Sequence, residues 1–149
     1  MEQTLPPPNP GEVSESERHW AAIAHMGALI LALLTSWMAG VAGVIGAGVV
    51  YLIKRDDSPF VAAHAREAIN FNLSMLLYVV AAIIIGVVLL GVTVLTLGIG
   101  ILLTAPAGLV LLLALAALAV MWLVCGILAT IKAYQGEAYR YPLTIRLLQ

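Results

Sequence analysis

Residues 54–67, KRDDSPFVAAHARE, hold six of the fifteen charged side chains in a chain of 149 residues. On either side lies sequence with no Asp, Glu, Lys or Arg at all: residues 19–53 upstream and 68–131 downstream. The remaining charges form two further islands, one ending at Arg18 and one beginning at Lys132. Hydrophobic residues make up 62% of the chain and charged residues 10%, with a mean hydropathy of +1.05. A soluble domain carries about 25% charged residues. So little charge cannot cover a water-exposed surface, and the composition indicates an integral membrane protein.

Charge placement sets the number of crossings. A spanning helix needs about 20 apolar residues. The downstream stretch has 64, enough for two helices and a turn; the upstream stretch has 35, long for one helix and short for two. Lys and Arg favour the cytoplasmic side. If residues 19–53 crossed once, the island at 54–67 would face away from Arg18. If each stretch crosses twice, all seven basic residues share one side and the opposite turns carry no charge. The expectation is an all-α membrane protein: a four-helix transmembrane bundle of two helical hairpins, both termini cytoplasmic, in the bacterial inner membrane.

Local signals give the boundaries. MEQTLPPPNP is acidic and proline-rich, unlike the basic start of a signal peptide. Residues 1–13 read as a disordered tail, and 14–149 as the membrane domain. Ser14 and Glu17 have capping-box spacing, which starts a first helix over 15–36, with Trp37 at the far interface. A second helix over 40–54 is short, about 22 Å at 1.5 Å per residue. Ser58-Pro59 is an N-cap followed by a first-turn proline, opening a third helix over 59–90. GVTVLTLGIG (91–100), rich in Gly and β-branched residues, reads as the connection. A fourth helix follows over 105–134, with Gly136 as C-cap. EAYRYPLTIRLLQ then reads as a short segment lying on the cytoplasmic face. Tyr51, Tyr134, Tyr139, Tyr141 and Trp20 form an aromatic belt there.

On the third helix Phe60, His64, Glu67, Phe71, Ser74 and Tyr78 recur at spacings of three and four, which makes one continuous seam. Polar residues on membrane helices turn inward, and His25 is the expected partner across the bundle. Asn70 adds an amide beside the seam; Asn72 points nearly opposite and needs another partner. Three readings of this cluster stand together. In the structural one, His64, Arg66 and Glu67 cap the second helix and pair with Lys54 or Arg55. In the second, His25, His64 and Glu67 form a site for a divalent metal or a proton. In the third, the seam docks another membrane segment. Ala24, Ala28 and Ala32, with Ala39, Gly43 and Ala47, form small-residue faces that suit close packing of the first hairpin or of a second copy.

The composition excludes several classes. A net charge of −1 gives no basic field for nucleic acid. GVAGVIGAG (40–48) lacks the Lys-Ser/Thr of a phosphate loop. The single Cys125 forms neither an internal disulfide nor a zinc cluster. No cofactor is expected.

The run KRDDSPFVAAHAREAINFNLS resembles the hallmark of a bacterial family of small membrane proteins, and GEAYRYPLTIRLL resembles the same family's closing motif. The likeness spans about residues 19–148. It marks Ser58, Pro59, Phe60, His64, Glu67, Ala68, Asn70 and Phe71, then Gly136, Glu137, Tyr139, Tyr141 and Pro142. Arg66, on the other side of the helix, is counted with them as an interaction residue of the rim. The family is similar, more distantly, to the Tic20-like component of the chloroplast import translocon and to small magnetosome-membrane proteins. The resemblance implies a four-helix bundle with both termini on one side; no activity comes with it. Relatives often carry a proline near the position of Gly46. Glu137 or Tyr141 is expected to reach the His64–Glu67 region. The function expected is a non-enzymatic scaffold or translocon-like component acting through this rim, with the bilayer and a membrane-protein partner or a homo-oligomer around it. The alternatives are a small oligomeric transporter or channel and a metal-dependent membrane enzyme.

Overall fold

The computed structural model describes residues 12–35 and 39–148. Four helices follow in order: α1 (Glu15–Thr35), α2 (Ala39–Lys54), α3 (Pro59–Leu95) and α4 (Ile101–Tyr134). There is no strand among the described residues. The interfacial role expected of Trp37 and most of the expected disordered tail fall outside them. Helices α1, α3 and α4 are long and apolar enough to cross a membrane, and α2 is a shorter apolar helix.

The helix starts follow from local chemistry. The Ser14 N–H donates to Glu17 Oε2 at 2.9 Å and the Glu17 N–H donates to Ser14 Oγ at 3.2 Å, so the capping box closes in both directions. Ser58 caps α3 in extended geometry, accepting from the Val61 N–H at 3.3 Å, with Pro59 in the first turn. Its own hydroxyl donates to Glu17 Oε1 at 2.6 Å. That bond ties the start of α3 to the start of α1.

The helix ends differ from expectation. α3 runs to Leu95 rather than to about residue 90, and α4 opens at Ile101 rather than near Ala105, with Pro106 inside it. Low intrinsic propensity of Gly and β-branched residues loses to backbone satisfaction: in an apolar surround every N–H and C=O left open costs several kcal/mol. The connection is therefore as short as a Schellman closure permits. The Leu97 N–H donates to Val94 O and the Gly98 N–H donates to Thr93 O, with Leu97 at φ 53° and Gly98 at φ 87°. The Thr93 and Thr104 hydroxyls meet at 2.6 Å and hold the hairpin at its tip. The same closure ends α4, where Gly136 adopts φ 79° and the Glu137 N–H reaches Lys132 O.

Small residues set the α1–α2 contact. Ala24, Ala28 and Ala32 are all buried, and Gly46 lies against the end of the Leu31 side chain and the Ala28 backbone, so a β-carbon there would fit only if Leu31 moved. Gly40 lies beside Leu76, so α2 begins level with that point of α3. Beyond it the α3–α4 hairpin continues alone, and most of its Leu, Ile and Val side chains are exposed, Leu95 and Leu97 at the tip among them, while Leu89, Leu111 and Leu115 are half-buried.

The three charged islands meet at the opposite end. Lys54 Nζ sits over the Trp20 ring at 5.2 Å, Arg18 packs its stem against Gly136, and His19 meets Tyr134 at 5.5 Å between ring centroids. The α3–α4 connection therefore lies at the uncharged end.

Candidate functional site

After α4 the chain does not lie flat across the charged end. Residues 139–148 fold back along α3 as an extended strap. Pro142 precedes a turn at Leu143, which adopts φ 52°. The seam on α3 holds this strap almost wholly by its main chain. Glu67 Oε1 accepts the Tyr141 N–H at 3.0 Å. Tyr78 Oη donates to Leu143 O at 2.7 Å, and Ser74 Oγ accepts the Ile145 N–H at 2.9 Å. Asn70 Oδ1 accepts from the Leu147 and Leu148 N–H groups at 3.1 and 2.9 Å, while its Nδ2 donates to Leu148 O at 2.9 Å. Non-helical backbone at membrane depth survives only where protein or water serves its polar groups. These four side chains do so. The side chains of Leu143, Ile145, Leu147 and Leu148 stay exposed.

One strap side chain enters the bundle. Tyr141 is buried and stacks on Phe71, centroids 3.9 Å apart and planes 9° apart. Its hydroxyl meets His25 Nδ1 at 2.9 Å, and His25 Nε2 meets His64 Nδ1 at 2.8 Å. A phenol from the strap, an imidazole from α1 and an imidazole from α3 thus form one buried chain. A bond between two imidazole nitrogens needs one of them unprotonated. His64 Nε2 ends the chain, buried and without a hydrogen bond of good geometry. Burial pushes the Tyr141 phenol well above its ordinary value of 10.0, with Tyr139 and Cys125 adding to the rise. Burial, reinforced by Cys125, pushes Tyr139 up to about 12. Both phenols remain donors.

The other expected site residues are distributed as follows. Glu67 pairs with Arg146 Nη2 at 3.0 Å, not with Lys54 or Arg55; those two take Asp57 and Asp56, their own turn neighbours. Tyr141 does reach the seam. The Glu137 side chain does not, because Lys132, one turn back on α4, captures it at 2.6 Å. His25 and His64 spend their facing nitrogens on each other while Glu67 turns to the strap. Among the described residues no group of three or more His, Cys, Asp and Glu is placed to hold a metal ion. Phe60 packs against His64 and Tyr139 meets Tyr141 edge-on. Arg66 and Arg140 enter none of the ion pairs among the described residues.

Asn72 finds its partner in Trp122, whose Nε1–H donates to Asn72 Oδ1 at 3.2 Å, while Asn72 Nδ2 donates to Ala68 O. Sequence reasoning did not name Trp122. Its one available signal was an indole N–H in the middle of an apolar run, which must find an acceptor.

The profile of the magnetosome magnetite crystal formation protein family, MamF/MmsF, matches residues 16–148. The chain belongs to that family. The match takes in α1 from its second residue, the whole of α2, α3 and α4, and the described strap, so in MamF/MmsF terms the strap lies within the family's own span. No curated protein and no solved structure matches the chain.

Proposed function

We propose that this MamF/MmsF member is a non-enzymatic scaffold of a bacterial inner membrane, crossing it four times with both termini cytoplasmic, and that it helps assemble the membrane around forming magnetite. The observation that carries the reading is the use made of the polar residues. The seam, the two histidines and Glu67 are committed to holding the chain's own strap, while Arg66 and Arg140 remain unpaired at the charged end. Such a rim suits recognition of a partner more than chemistry on a substrate. The family description supports the setting.

The topology is tested with a membrane-impermeant maleimide on Asp57→Cys in a Cys125→Ala background. Intact cells should leave the thiol unlabelled and opened cells should expose it; labelling from outside refutes the orientation. The scaffold reading is tested by affinity purification in mild detergent. Partner proteins should co-purify in stoichiometric amounts and be lost with Arg66→Glu plus Arg140→Glu. Recovery of the lone chain, or partners indifferent to the two charge reversals, refutes it.

A further inference from the structure

The strap–seam contact from Leu143 onward is made mostly to main-chain groups, and its one side-chain pair is Arg146 with Glu67, 3.0 Å apart. From Leu143 onward, the strap offers Leu143 O, Ile145 N–H, Leu147 N–H, Leu148 N–H and Leu148 O, and Tyr78, Ser74 and Asn70 take all five. Asn70 and Ser74 are each only 1% exposed. Emptying the seam would strand the Asn70 carboxamide, an arrangement folded proteins avoid, while Ser74, whose hydroxyl also donates to Asn70 O at 2.7 Å, would lose only the N–H it accepts. Replacing one occupant by an identical one would strand nothing.

The turn that brings the strap back is strained. Leu143 sits at φ 52°, left-handed backbone that costs a residue with a β-carbon and persists only where the surroundings impose it. Pro142 stands immediately before it. Straightening at Leu143 would relieve that strain and carry residues 144–148 away from their own α3. Tyr141, anchored between Phe71 and His25, would stay at home.

We propose that the seam is a docking site for the tail of a second copy: residues 144–148 exchange between neighbouring chains about Pro142–Leu143, so that Asn70 and Ser74 of each chain hold the tail of the other. Every copy carries both halves of the contact, so each bond formed in one chain has an identical counterpart across two. The exposed side chains of Leu143, Ile145, Leu147 and Leu148 give the crossing segment an apolar stripe, and its one charge, Arg146, takes its bond to Glu67 across with it. The inference names a partner for the scaffold proposed above and rests on that reading; its test is separate, since a scaffold that keeps its tail at home still recruits other proteins.

The experiment uses full-length chains in a Cys125→Ala background. One differently tagged chain carries Ser74→Cys and the other Ile145→Cys, co-expressed in one membrane and oxidised in place. A second sample carries both substitutions in one chain. Exchange gives a disulfide-linked pair bearing both tags. Adding Leu143→Gly, which removes the strain, lowers that product at least two-fold and raises closure within the doubly substituted chain. Closure within the doubly substituted chain and no mixed pair overturns the proposal. Where oxidation closes neither sample, a bismaleimide long enough to span position 74 and the outward-facing position 145 replaces the oxidant, and no mixed pair then overturns the proposal as well.

Discussion

Two glycines on α2 respond in opposite directions to the same added methyl group. Gly43 lies against Asn72, whose carboxamide and β-carbon occupy the place a β-carbon would take; Gly48 has nothing within 4 Å. Replacing a helical glycine by alanine stabilises by about 0.5–1 kcal/mol where there is room. Gly48→Ala should gain that much. At Gly43 the same gain is opposed by two costs. Overpacking a tight contact costs about 1–3 kcal/mol. Asn72 cannot swing aside freely, because it holds Trp122 and Ala68 O. Losing the Trp122 bond adds about 0.6 kcal/mol on the membrane-protein average. The net for Gly43→Ala is a loss of about 1–3 kcal/mol, opposite in sign to Gly48→Ala. The assay is reversible unfolding in mixed detergent micelles followed by tryptophan fluorescence. Asn72→Ala in the Gly43→Ala background should recover part of the loss, since it removes the obstacle. A Gly43→Ala protein as stable as Gly48→Ala would show that α2 and α3 do not approach this closely, and the reasoning about the bundle would fail with it.

Three further outcomes follow from individual contacts. Glu67→Ala and Arg146→Ala should couple by about 0.5–1 kcal/mol in a double-mutant cycle, whereas Glu67→Ala and Glu137→Ala should add within about 0.5 kcal/mol; the reverse pattern in unfolding titrations would move Glu137 to the seam. The raised Tyr141 phenol contributes stability that is complete below its unfolded value of 10.0 and is lost as pH climbs above it. Thermal melting from about pH 8 to about pH 11 should fall more steeply for the parent than for Tyr141→Phe, and equal slopes count against burial of this phenol. Leu97→Gly, at an exposed position with φ 53°, should raise stability by up to about 1 kcal/mol; a lower melting temperature would mean the left-handed turn is not there.

What the sequence discloses here is the half of each contact that has a period or a charge. Ser14–Glu17 and Ser58-Pro59 announce helix starts because capping chemistry is local. The spacing from Phe60 to Tyr78 marks one face of α3 because a helix repeats. The occupant of that face is not legible in the same way. Asn70 and Ser74 bond to main-chain groups, and a main-chain group is the same at every residue, so nothing downstream identifies what they hold. Read by itself, EAYRYPLTIRLLQ alternates like an interfacial segment. Glu137 shows the converse: its partner Lys132 lies five residues away, and the short loop closure outcompetes a longer reach to α3. The ends of α3 and α4 escaped for a third reason. Propensity scales come from water, where a broken helix is solvated, and an apolar surround removes that option.

The polar cluster on α3 is therefore a consequence of the strap's conformation. An extended segment beside a membrane helix must have its N–H and C=O groups served, and side chains on the neighbouring helix can serve them if they recur at helical spacing. Glu67, Asn70, Ser74 and Tyr78 recur that way, and together they meet six main-chain groups between Tyr141 and Leu148. The dependence runs in both directions, because the Asn70 carboxamide finds its partners in the strap, whereas Ser74 also donates to Asn70 O.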